Sequence, residues 1–312
     1  MNRGVAQLVA RTYGVREVAG SNPVTPTKVS KVTLIAQYTS KALVVNSALP
    51  YLIIKYLMLP LNYQKIIENK PYTKLLKEVP SELKNQLHNL SLIKRFQFKE
   101  YPKDLIADNT LDHTLRCVYL AKKINLRLNK AKLIRTLWVH DIPKLLTNDL
   151  TVIEKYRNLD ADKNFRLREH KAAKKLLSSV DRSLLDLFNK ADDFLKWKVM
   201  RVREIPLESI AAKIIDNSEG NMTFHYFVSG WVASEAYNPK LLPPTDSLIH
   251  TFRINNIMQN QLKLLPETHG KELANLIDTV LKTIGTFWKN VPQEKIPSVL
   301  GDYLKHSNIT RN

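Results

Sequence analysis

Three short stretches combine side chains that bind metals: Asp112-His113, His140-Asp141, and Asp216 after Ile214-Ile215. A metal site needs neutral imidazole nitrogens and carboxylate oxygens converging from separate elements. Two histidines and two aspartates suit a borderline or hard divalent ion such as Mn²⁺, Co²⁺, Fe²⁺, Ni²⁺ or Zn²⁺. Adjacent ligands at 140 and 141 can both reach one ion where a helix ends. Four protein ligands on a six-coordinate ion leave two places, one for water and one for a phosphate oxygen, which is the arrangement for metal-assisted attack on phosphorus. Periodicity alone does not choose this reading. The chain has 8 histidines, and a histidine beside an apolar helix also reads as a hydrogen-bonded structural residue. An aspartate near a helix end also reads as a cap.

The elements that must position these residues read as helices. Tyr72, Leu75, Leu76 and Val79 have helical period up to Pro80, and Ser81 opens a second run with Leu83, Leu87, Leu90 and Ile93. Asn109 or Thr110 can cap a helix carrying Leu111, Leu115, Val118, Tyr119 and Ile124; Asn129 can cap the next, with Leu133, Ile134, Leu137 and Trp138 inward. Ala172, Ala173, Leu176 and Leu177 mark another. Pro206 stands at the first turn of a helix expected over Leu207–Asp216, and Leu273, Leu276, Ile277, Val280, Leu281 and Ile284 give one more. Strand-like alternation is scarce. The expected architecture is therefore all-α: one helical domain over 62–305, a Pro-rich surface loop at Pro239–Asp246, and a flexible tail from His306.

Composition removes other classes. Among 312 residues there are 8 glycines, three of them in the first twenty, so glycine-rich phosphate loops and dinucleotide fingerprints are excluded. Cys117 is the single cysteine, which rules out internal disulfides and multi-cysteine zinc sites and fits a reducing, cytoplasmic setting. The formal net charge of +19 suits polyanionic partners, though a Lys-, Asn- and Ile-rich chain also follows from A/T-rich coding.

The head of the chain has a different character. Residues 1–57 hold seven Lys/Arg and one acid. Val5–Val9 and Gly20–Pro23, written back into codons, resemble the D- and T-arms of a transfer-RNA gene. Residues 1–57 are accordingly expected to be a non-native or disordered extension, with Met58 as the natural start. The apolar stretch Ala42–Leu61 approaches the length of a membrane span but is broken by Asn46, Pro50 and Lys55. A membrane association is not expected if that extension is spurious.

The order H…HD…D, each element set among apolar helices, resembles the HD superfamily of metal-dependent phosphohydrolases. The segments LIKRF (92–96), NTLDHTLRCVYLA (109–121), HDIPKLLTNDLT (140–151) and IAAKIIDNSEGN (210–221) are similar to the bacterial 5′-deoxynucleotidase family, over roughly 75–235. The resemblance implies an HD-domain helical bundle with His113, His140, Asp141 and Asp216 as ligands of a divalent ion (Mn, Co, Fe, Ni, Zn or Mg). It places Arg95 on the substrate phosphate, Phe96 against the sugar, and Asp149 where it helps to position the catalytic water or sugar. It also implies a small-molecule nucleotide substrate and a homodimer. The chain departs from the family at two positions. Lys144 stands where the family has a glutamate able to orient or deprotonate water, and Asn148 stands where it has glycine, a change eased by the tolerance of Asn for left-handed backbone. A lysine beside a dication is repelled unless it points away or pairs with an acid such as Asp149. Asp149 or Asp112 could supply the missing carboxylate, Lys144 could bind phosphate, or turnover could be lost and binding kept.

The expected activity is hydrolysis of (deoxy)nucleoside 5′-monophosphates. The alternatives are a catalytically silent HD scaffold that binds nucleotide or metal, and a basic nucleic-acid-binding module built on runs such as Lys196–Arg203. His170 is expected to face solvent and His225 to sit in the core or a pocket wall. Glu219, about one turn past Asp216, is placed to salt-bridge or line the site.

Overall fold

The computed structural model describes residues 62–96, 108–149, 159–193, 205–238 and 245–306. These residues are helical, with no strand among them beyond one antiparallel bridge between Lys94 and Asn109. The helices are α1 (Tyr63–Asn69), α2 (Lys84–Asn89), α3 (Thr110–Lys123), α4 (Lys130–Val139), α5 (Lys144–Thr147), α6 (Leu159–Leu177), α7 (Arg182–Asp193), α8 (Leu207–Ala233), α9 (Thr245–Leu262), α10 (Glu267–Lys289) and α11 (Ser298–His306).

The long helix α8 organises the bundle. Its 27 residues span about 40 Å at 1.5 Å per residue. Ile210, Ile214, Ile215, Met222, Phe224, Val228 and Val232 are all essentially inaccessible. A helix buried along this much of its surface must be covered on several sides, and α3, α4, α7, α9 and α10 pack around it. The fourteen residues from Thr110 to Lys123 carry α3 past the core; Leu115, Cys117, Val118 and Ala121 are fully buried there.

Local chemistry sets the starts of the two helices that lead to the site. The Asn109 side chain accepts from the Asp112 amide at 2.9 Å, and Asn129 accepts from the Lys132 amide at 3.1 Å. Each satisfies one of the amides that a helix start leaves without a partner. On the far side of α8, three helices are tied by one buried relay. Trp288 Nε1 of α10 donates to His225 Nδ1 of α8 at 3.0 Å, which leaves Nε2–H to donate to Thr251 Oγ1 of α9. His225 is thus a core residue, as the sequence suggested.

Several boundaries differ from the sequence reading. The helix expected to end at Asp216 runs on to Ala233, because Met222, Phe224 and Val228 continue the buried surface. This places Asp216 and Glu219 mid-helix on one face. Pro71–Glu78 is a 3₁₀ helix, entered through Lys70 at φ 45° and Pro71. At three residues per turn Tyr72 and Leu75 align inward, whereas Leu76 is 43% exposed. The second run, from Ser81, is split into α2 and two short 3₁₀ turns. Thr245 and Asp246, expected in a loop, open α9, and His306, expected in the tail, closes α11. His170 is not simply solvent-facing: it is part-buried, with Nδ1 3.0 Å from Asn189 Oδ1 and its ring edge-on to Phe188.

The expected extension 1–57, the apolar stretch Ala42–Leu61, residues 239–244 of the expected loop, the basic run Lys196–Arg203 and the tail after His306 lie outside the described residues. Among the described residues no helix is long and apolar enough to cross a membrane.

Candidate metal centre

The geometry brings His113, His140, Asp141 and Asp216 together from three elements. His113 lies in the first turns of α3. His140 follows the last residue of α4, with Asp141 in the turn beyond it, and Asp216 projects from the middle of α8. His113 Nε2 is 3.1 Å from Asp216 Oδ1 and 3.6 Å from Asp141 Oδ2. His140 Nε2 is 3.3 Å from His113 Nε2, 3.5 Å from Asp141 Oδ2 and 3.6 Å from Asp216 Oδ1. Cys117, one turn after His113, adds a sulfur 3.8 Å from His113 Nε2. The donor atoms of His113, Cys117, His140 and Asp216 all lie within 4.8 Å of one another.

The other ring nitrogens are already committed. His113 Nδ1 contacts Glu219 Oε2, and His140 Nδ1 donates to the Leu137 carbonyl at 2.7 Å. A metal-binding histidine ordinarily uses its second nitrogen in this way, toward a carboxylate or a backbone carbonyl. With both Nδ1 atoms spent, two imidazole lone pairs and two carboxylates face one another, and a cation is what that donor set accommodates. The electrostatics agree. Burial and Arg95 work against a charge on His113, yet Cys117, Glu219 and Asp216 outweigh them and raise its pKa well above the ordinary value. Burial lowers that of His140. Burial also opposes ionisation of Asp141 and Asp216, but the neighbouring imidazoles and lysines hold both below the usual carboxylate range. One added positive charge is what this cluster favours.

Behind the cluster lies a buried ionic network that the sequence did not reveal in full. Glu219, fully buried, takes Arg116 Nε, Tyr63 Oη at 2.7 Å, Thr223 Oγ1 at 2.6 Å and Arg95 at 3.3 Å, in addition to His113. Asp108 receives the Arg116 guanidinium through both oxygens, at 2.8 and 2.9 Å, and Arg95 at 3.3 Å. Two arginines and two acids alternate, so the buried charge is balanced. Glu219 therefore salt-bridges, as its place one turn beyond Asp216 allowed. Asp108, Arg116 and Tyr63 were not anticipated. The available signal was Arg116 in the middle of an otherwise apolar helical stretch, since an arginine there needs an acid.

Arg95 is buried. Its guanidinium stacks on Phe96, 4.5 Å from the ring centre, and Phe96 leans on Phe224. Gly220 makes room: a side chain there would begin 3.1 Å from Arg95 Nη2. Phe96 has φ 55° and Asn148 φ 58°, and strained backbone of this kind clusters at functional sites. Asn148 has ψ −173°, so it is not in the left-handed helical region that Asn tolerates but in one that favours glycine. The expectation of easy accommodation holds for φ alone.

Lys144 does not point away. It is buried, with Nζ 2.9 and 3.0 Å from the two oxygens of Asp141 and 3.2 Å from Asp149 Oδ1. Burial disfavours its charge, but Asp141 and Asp149 more than compensate and raise its pKa. Lys213, unremarked in the sequence, pairs with Asp216 Oδ2 at 2.7 Å. Asp112 stands apart, part-buried and 3.7 Å from Lys70; among the described residues no side-chain contact joins it to the cluster.

No significant match was found among curated proteins or solved structures. Residues 88–219, which run from α2 to Glu219 and contain every member of the cluster, match the family model of the HD domain, and the match supports an HD-superfamily domain over this stretch.

Proposed function

We propose that this protein is a metal-dependent phosphohydrolase that cleaves (deoxy)nucleoside 5′-monophosphates to nucleoside and inorganic phosphate. The observation that carries the reading is the convergence of His113, His140, Asp141 and Asp216, with both histidines oriented from behind. A divalent ion held by these residues would polarise a phosphoryl oxygen and acidify a water. The remaining roles fall to the chain. Arg95, fixed by Asp108, Glu219 and the Phe96 ring, supplies a planar fork for phosphate oxygens. Phe96 gives the sugar an apolar wall. Asp149 accepts a hydrogen bond from water or a sugar hydroxyl, and Lys144 adds an ammonium donor beside it. The substrate class rests on the similarity of the LIKRF, HD and IIDNSEG segments to deoxynucleotidases.

The test is phosphate release by the full chain from deoxy- and ribonucleoside monophosphates with Mn²⁺, Co²⁺, Mg²⁺ or Zn²⁺, with Asp141→Ala as control. Metal-dependent release that disappears in the control supports the proposal. Absence of release from every substrate, with metal bound, removes it.

One observation favours a second reading, that of a silent scaffold which binds metal or nucleotide without turnover: the Lys144 ammonium lies against Asp141, at the position where the resemblance implies a water-orienting carboxylate. Lys144→Glu separates the two. Phosphate release that appears only in the variant identifies a lapsed enzyme, and unchanged release supports turnover through other groups.

A further inference from the structure

Each carboxylate of the cluster is shared with a lysine. Asp141 gives both oxygens to Lys144, which also holds Asp149, and Asp216 turns Oδ2 to Lys213 while Oδ1 faces the two imidazoles. With both imidazoles neutral, as ligation of a metal requires, three carboxylates thus face two ammonium groups and leave a net charge of minus one. The network of Arg95, Arg116, Asp108 and Glu219 behind them adds none. A dication arriving here meets one negative charge where the carboxylates alone would offer three, and its arrival turns the site from net negative to net positive.

From this we infer that Lys144 and Lys213 couple metal to anion: the site binds a divalent cation weakly alone and tightly together with a phosphate group. The inference rests on the metal-centre reading above and adds a thermodynamic property to it. The lysines lower the affinity for the first cation by direct repulsion. Once it is bound, the same two ammonium groups face an excess of positive charge that a phosphate dianion relieves. Coupling of this kind is reciprocal, so metal tightens phosphate by the factor by which phosphate tightens metal. The mode of Asp216 follows too, since the Lys213 bond to Oδ2 leaves a single oxygen to the cluster.

The coupling is large enough to measure. A unit charge about 6 Å from a dication changes its affinity by about tenfold even at the dielectric constant of water, and by more in a buried site. Lys144→Gln and Lys213→Gln each remove one charge. Lys213 is the more exposed of the two, so its variant tests the idea even where the Lys144 variant folds poorly.

The experiment is calorimetric titration of the metal-free full chain with Mn²⁺, with and without inorganic phosphate, for the wild type and both variants. The expected results are a wild-type dissociation constant at least tenfold tighter with phosphate, and about tenfold tighter Mn²⁺ binding by either variant alone, with a smaller gain from phosphate. Wild-type binding indifferent to phosphate, or variants that bind Mn²⁺ as weakly as the wild type, would overturn the inference. Absence of Mn²⁺ binding in all three proteins is a different result, and it removes the metal-centre reading itself.

Discussion

The relay through His225 makes the fold acid-sensitive in a calculable way. Its imidazole is fully buried, accepts from Trp288 Nε1 and donates to Thr251, and burial pushes its pKa down from 6.5 to about 3. The unfolded chain takes up a proton at this residue as pH falls through 6.5, and the folded protein does not until about pH 3. Between those values the unfolded state binds more protons, so stability falls with falling pH by about 1.4 kcal/mol per unit. From pH 7 to pH 5 this one group should cost about 2 kcal/mol, a sizeable share of the 5–15 kcal/mol typical of a whole domain. The assay is urea unfolding at pH 7, 6 and 5, followed by tryptophan fluorescence, for the wild type and His225→Gln. The variant loses stability at every pH, by about 1–3 kcal/mol, because Trp288 and Thr251 lose a buried partner. Its pH dependence, however, should be shallower than that of the wild type by about 2 kcal/mol between pH 7 and 5. Equal slopes in the two proteins would refute the reasoning, and would mean that other groups carry the acid response.

Removal of the buried acid at the centre of the network should be severe: Glu219→Gln takes from Arg95 and Arg116 one of the two carboxylates they share, and about 3–5 kcal/mol of stability should be lost in urea unfolding. The same variant deprives His113 Nδ1 of its carboxylate, so metal affinity should fall by about 10–100-fold in calorimetric titration. Asn148→Gly should instead stabilise, by about 1 kcal/mol, because φ 58° with ψ −173° strains any side chain but costs glycine little; a lower urea midpoint would contradict that account. Substitution of Asp112 by asparagine should leave metal binding within twofold of wild type, since the residue pairs with Lys70 outside the cluster.

The parts of this structure legible in the sequence are those governed by local chemistry. Asn109 and Asn129 announce the starts of α3 and α4, and the apolar periods of α4 and α10 fix which faces turn inward. The four clustered residues could be picked out by type and order, although only the fold brings each of the other donors within 3.6 Å of an imidazole Nε2. What stayed hidden depends on packing across long separations. Helix α9 gave no clear signal because Thr251 and Asn255, both polar, belong to its buried face beside Phe252 and Met258. Helix α8 was expected to end at Asp216, and the residues that follow, Asn217, Ser218, Glu219 and Gly220, have no apolar period; in the bundle Glu219 is buried against two arginines and Gly220 makes way for Arg95. The orientation of Lys144 was open on sequence grounds, and the answer required the positions of Asp141 and Asp149.

The most direct test of the central claim is metal content. Purified full-length chain and the variants His113→Ala and His140→Ala would be dialysed against Mn²⁺, Co²⁺ or Zn²⁺ with phosphate and assayed by elemental mass spectrometry. One divalent ion per wild-type chain, with uptake sharply reduced in both variants, is the predicted result. A wild type that retains no metal, or variants that retain as much as the wild type, would contradict the account.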